Sequence, residues 1–146
     1  MCIVSMLPSA TEIICFLNMR SSLVGISHEC NYPEGLTGID VVTQSSIEKG
    51  LSSRAIDARV RQSLLDRRAL YSLKHDLIAK LKPDLLVTQS LCNVCAVDHY
   101  EVEKVAASLS PSPQVINLEP SLLEDVFITI TRIADATGQQ IIGQKN

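Results

Sequence analysis

Short apolar runs alternate along this chain with stretches of helical periodicity. Cys2–Ser5 is mostly apolar and reads as a buried strand, broken by Leu7-Pro8-Ser9. Ser9-Ala10-Thr11-Glu12 has the form of a capping box, with Ser9 as N-cap, and predicts a helix to about Asn18. Leu23–Ile26 and Val41-Val42 are further strand candidates, separated by a polar loop at His28–Pro33 and an irregular continuation. Ser53 can cap a helix whose apolar face is Ile56, Val60 and Leu64. A second helical face, Leu73, Leu77, Ile78 and Leu81, ends at Pro83. Asp84–Thr88 is strongly apolar and predicts a strand. Asp98-His99-Tyr100-Glu101 caps a helix burying Val102, Val105, Ala106 and Leu109. Gln114–Leu118 predicts the last strand. Ser121-Leu122-Leu123-Glu124 caps a final helix that buries Val126, Ile130, Ile133 and Ala134 and reaches about Thr137.

Strands that alternate with helices imply an α/β fold: a mainly parallel open sheet with helices on both faces. No internal repeat or long linker divides it. In such sheets ligands bind outside the carboxyl ends of the strands. Five loops are expected at that edge: Leu7–Thr11, His28–Tyr32, Thr43–Ser46, Gln89–Val97 and Glu119-Pro120.

Composition narrows the partners. Of the 146 residues 46% are hydrophobic and 20% charged, an ordinary globular balance. Net charge is −3, and the basic cluster Arg59, Arg61, Arg67 and Arg68 is interleaved with Asp57 and Asp66. That is a solvated helix face, so no nucleic-acid surface is expected. No stretch approaches the ~18 apolar residues of a membrane span. Residues 1–19 lack a basic leader region, and Ser9, Thr11 and Glu12 interrupt their apolar run. They read as mature structure without an export signal, which places the chain as written in the cytoplasm. The cysteines are Cys2, Cys15, Cys30, Cys92 and Cys95; an odd count argues against a secreted disulfide framework.

Candidate chemistry is sparse. The glycine-rich signatures of dinucleotide and nucleoside triphosphate sites are absent, as is a nucleophile elbow. No nucleophile, base and orienting group stand at a legible spacing, so no catalytic role is expected. Ser9 and Thr11, with the free N–H groups of the first helix, could hold an anionic group, or Ser9 is only a cap. His28-Glu29-Cys30 is the densest polar cluster; it supplies two metal-ligand types, or is a surface loop. Cys92-Asn93-Val94-Cys95 has the spacing of zinc and redox sites, or forms an ordered loop lining the cleft. A tetrahedral metal set is closed by His28, Cys30, Cys92 and Cys95 if their loops meet. A cytosolic thiol or metal protein using Cys30, Cys92 and Cys95 is therefore the alternative reading. Glu119 precedes the last helix and complements its N-terminus.

Four segments carry a resemblance. Ile3-Val4-Ser5-Met6-Leu7-Pro8-Ser9-Ala10-Thr11-Glu12 resembles the opening of the cobalamin and iron-complex substrate-binding proteins of ABC importers. Val24–Pro33, Pro83–Gln89 with the loop Ser90–Val97, and Asn117-Leu118-Glu119-Pro120 before a long helix are similar to later segments of that family. The resemblance implies two α/β lobes joined by a long helix, with the ligand clamped between them. Residues 1–120 would be the N-terminal lobe and 121–146 the start of the inter-lobe helix, the second lobe being absent. It implies cobalamin, or a related corrinoid or iron chelate, as ligand, with no covalent cofactor. Pro8, Ser9, Thr11, His28, Glu29, Cys30, Tyr32, Gln89, Cys92 and Cys95 would line the cleft, and Glu119 would dock onto the permease. The last helix, with Phe127 and Ile141-Ile142, would pair with a second lobe or a second copy. Members of the family work in the periplasm or outside the cell.

Overall fold

The computed structural model describes residues 1–45, 47, 50–65, 70–90 and 99–140, with the side chains of 63–65 left aside. The chain opens with β1 (Ile3–Ser5), α1 (Pro8–Phe16), a 3-10 turn at Arg20–Ser22, β2 (Leu23–Ile26) and β3 (Asp40–Val41). β4 (Thr43–Ser45), α2 (Ser53–Leu65), β5 (Tyr71–Leu73) and α3 (His75–Leu81) follow. β6 (Leu85–Gln89), α4 (His99–Ser108), β7 (Gln114–Leu118) and α5 (Leu123–Thr137) complete it.

Five strands form one sheet in the order β3-β2-β1-β6-β7, and every pairing is parallel. Alternate side chains of each strand leave on opposite faces, and the two cores follow that rule. Ile3, Leu85 and Val87 join Ala10 and Ile14 of α1 and Ile133 and Ala134 of α5 in one apolar cluster. Val4 and Leu86 join Ile78 of α3 and Val102, Val105 and Ala106 of α4 in the other. Each fully buried large aliphatic side chain contributes about 1.5–3 kcal/mol. A strand buried on both sides must be apolar throughout, which is why β1 and β6 read as continuous runs.

The chain runs from β1 outward to β2 and β3, then crosses back to β6 and β7. Strand order therefore reverses between β1 and β6. The loops leaving those two strands diverge to opposite faces and open a crevice at their carboxyl ends.

Several local expectations give way. Ser9 is not the N-cap of α1; Leu7 is, with Pro8 in the first turn. Proline fits there because its missing N–H would have no helical partner. The helix ends at Phe16, and Asn18 adopts a left-handed φ of 59°. Leu73 belongs to no helix: it is the buried end of β5, and α3 begins at His75. β5 pairs antiparallel with β4, Thr43 opposite Leu73 and Ser45 opposite Tyr71, in a ribbon that the apolar pattern does not predict. The cap of α2 is Ser52, whose Oγ accepts the Ala55 N–H at 3.3 Å. Ile56, expected on the buried face of α2, is exposed. The cap expected at Asp98 lies outside the described residues. In α5 the buried stripe is Thr129, Ile133, Ala134 and Thr137, while Val126 is exposed. Leu122 rather than Ser121 is the N-cap, and the Asp125 carboxylate accepts the N–H groups of Ser121 at 2.9 Å and Leu122 at 2.8 Å. Gly138 closes the helix with φ 71°.

Gly25 sets how closely β2 is packed. A Cβ there would lie 2.7 Å from Val42 Cγ1 and 3.0 Å from Val4 Cγ2. Gly25→Val is expected to destabilise the fold by about 1–3 kcal/mol through overpacking, read as a lower denaturation midpoint. The two N–H donors hold Asp125 below the usual carboxylate range. A carboxylate with a depressed folded pKa stabilises above its unfolded pKa, and the gain is lost as pH falls through the folded value. Asp125→Asn should therefore lower the melting temperature slightly at neutral pH, with the gap to the parent closing in acid.

Candidate functional site

The strand ends gather the candidate residues at one edge, but in separate groups. The first is built on the loop after β2. The His28 backbone N–H donates to Thr43 Oγ1 at 2.9 Å, and its ring Nδ1 lies 2.6 Å from the same oxygen. Thr43 is buried, and its Oγ1 also lies 3.2 Å from Ser27 Oγ. One hydroxyl thus anchors both the backbone and the ring of His28 and leaves Nε2 as the ring nitrogen clear of it. A neutral imidazole held through one nitrogen can offer the other to a metal. Nε2 is enclosed and has no hydrogen-bond partner, although Glu29 Oε1 lies 3.3 Å away. Tyr71 stacks at a tilt on the imidazole, centroids 4.8 Å apart, and its hydroxyl donates to Glu29 Oε1 at 3.5 Å. The β4–β5 ribbon thus supplies both the Thr43 that orients His28 and the Tyr71 that flanks it.

A second group ends β6 and β7. Ser90 Oγ donates to Glu119 Oε1, and Asn117 Nδ2 reaches Ser90 Oγ at 2.6 Å and Glu119 Oε1 at 2.8 Å. The hydrogen bonds from Ser90 and Asn117 hold the exposed Glu119 carboxyl below its usual range, so it stays ionised at neutral pH. Gln89, half-buried at the end of β6, stands beside this group.

The remaining candidates are dispersed. Pro8 and Ser9 open α1 at the carboxyl end of β1, with Ser9 exposed. Thr11 is fully buried and turned inward: its Oγ1 donates to Ser5 Oγ at 2.8 Å and lies 3.1 Å from Cys30 Sγ. Cys30 thus faces α1. Tyr32 is exposed and lines a cavity of about 470 Å³ with Glu12, Ile13, Cys15, Phe16, Pro33 and Ile130, beside the second half of α1. Cys92 and Cys95 lie outside the described residues. Among the described residues no three His, Cys, Asp or Glu side chains come together as a metal site.

Thr43 is expected at the ligand edge only as the start of the loop Thr43–Ser46, without its role, and Tyr71 carries no signal in the sequence. Their strands are three residues each, too short for alternation to show, and only the pairing brings them to His28.

Comparison with known proteins fixes the class of fold. The sequence matches no family model and no curated protein. Solved structures do match over nearly the whole chain. A possible iron-binding periplasmic solute-binding protein of Staphylococcus epidermidis superposes with a TM-score of 0.67 at 19% identity, covering 99% of this chain and 45% of that one. The periplasmic haem-binding protein of Roseiflexus gives 0.68 at 21% identity, covering 99% and 43%. The periplasmic vitamin B12-binding protein of Vibrio cholerae gives 0.68 at 18% identity, covering 99% and 44%. The chain thus has the fold of one lobe of these periplasmic binding proteins and spans less than half their length.

The orientation of His28 rests on Thr43. Thr43→Val keeps the shape but removes the hydroxyl that accepts from the buried His28 N–H and meets its ring Nδ1. It should destabilise the chain by about 1–3 kcal/mol. In parallel, NMR of the His28 ring nitrogens should show the Nδ1 signal shifted by loss of its hydrogen-bond partner.

Proposed function

We propose that this chain is the N-terminal lobe of an ABC-importer substrate-binding protein for a metal chelate, and that it has no catalytic role. Residues 121–146 would begin the inter-lobe helix. The observation that carries the reading is His28. It stands at the carboxyl edge of a lobe-like α/β sheet, oriented by a buried threonine, with Nε2 enclosed and making no hydrogen bond. An imidazole so prepared suits an axial metal position in a planar chelate. Cobalamin is the ligand we favour, haem and iron chelates being the related class. Glu29 covers Nε2 and must rotate aside; its side chain is exposed and free of packing on the solvent side. Pro8, Ser9 and Gln89 would meet the ligand's periphery from the neighbouring strand ends.

The ionised Glu119, held out by Ser90 and Asn117, suits docking onto basic residues of a permease. The first turns of α5 expose Leu122, Leu123, Val126, Phe127 and Ile128. A contiguous apolar strip of this kind suits a surface covered by another body, and a second lobe is the occupant we favour.

Isothermal titration with cobalamin, and with haemin in parallel, tests the ligand. Weak saturable binding is expected, since one lobe offers half a cleft. His28→Ala should weaken it by about tenfold, equivalent to roughly 1.4 kcal/mol. Absence of binding by every chelate at millimolar concentration would overturn the reading.

A further inference from the structure

We propose that Cys15 and Cys30 form a reversible disulfide that ties α1 to the loop after β2. All three thiols among the described residues, Cys2, Cys15 and Cys30, are free in this structure. Thr11 and Cys15 are one helical turn apart and so share a face of α1. Cys30 Sγ lies 3.1 Å from Thr11 Oγ1, which brings it onto that same face. Cys15 and Cys30 both pack against the same apolar cluster. Each is half-buried. The pairing draws on neither the cleft nor His28, so it stands apart from the ligand-binding reading.

The two thiols have different access. Cys15 opens onto the cavity shared with Tyr32 and Pro33, whereas Cys30 lies deeper. Both thiols are half-buried, which limits access by oxidants from solution. That disfavours fast reaction with peroxide and suits slow exchange with a disulfide donor. With glutathione disulfide as oxidant, the Cys15 thiolate attacks one glutathione sulfur and releases the other glutathione as a thiol. The Cys30 thiolate then attacks the Cys15 sulfur of the mixed disulfide and releases the second glutathione thiol. Two protein thiols lose two hydrogens and two electrons to one glutathione disulfide.

The test incubates the whole folded chain with excess glutathione disulfide, then alkylates it, digests it without reductant and maps peptides by mass spectrometry. A Cys15–Cys30 linked peptide, formed faster as pH rises and reversed by dithiothreitol, is expected. Cys30→Ser should stop at a glutathione adduct on Cys15. Cys15→Ser should leave Cys30 alkylatable after unfolding. Circular dichroism of both variants checks their folding, and the unsubstituted chain decides alone if either fails to fold. Recovery of Cys15 and Cys30 both alkylated, or of Cys30 linked to Cys92 or Cys95, would overturn the pairing.

Discussion

Everything in this fold hangs on β1, three residues buried on both faces and hydrogen-bonded on both edges. Val4 and Ile3 feed separate cores, so this strand, with β6 beside it, fixes the helices of the two faces relative to one another. The same position makes β1 the point where strand order turns. The crevice at its carboxyl end is a consequence of topology, and it exists before any particular side chain is placed there.

At the neighbouring end of β2 one hydroxyl orients the candidate ligand. Thr43 Oγ1 meets both the backbone N–H and the ring Nδ1 of His28, and Ser27 Oγ besides. A side chain on a small ribbon outside the main sheet thereby sets which ring nitrogen of His28 is left clear of it. Glu29 and Tyr71 then cover that nitrogen and keep water from it. The Glu119 group is a different kind of assembly. Its carboxylate is exposed and its partners are neutral donors, so its charge faces solvent.

The strands β1 and β6 follow from the sequence alone, because parallel strands buried on both sides leave an almost unbroken apolar run. The alternation of strands with helices was equally legible, and with it the edge where loops collect. Caps were less so. Ser9 and Ser121 match a capping pattern, yet a proline at the first turn and an aspartate one residue later displace both starts. Ile56 and Val126 show the limit of periodicity: the spacing is helical, but no neighbouring layer covers them. Among site residues His28 was visible from its chemistry. Thr43 was legible only as part of an edge loop and Tyr71 not at all, since a site shared by two three-residue strands leaves no pattern along the chain. The position of Cys30 against Thr11 belongs to the same class of facts, set by how a turn folds back on a helix.

The pairing of β1 with β6 joins Ile3 to Leu85, and the Cys2 amide to the Asp84 carboxylate across 82 residues. During synthesis the N-terminal strand emerges first and has β2 as a partner, but its other edge stays open until β6 has been made. At translation rates of about 5–20 residues per second that interval is on the order of ten seconds. For that time an apolar strand offers a free edge, the situation in which nascent chains aggregate or are held by chaperones. Folding of this lobe is therefore gated by the arrival of its sixth strand.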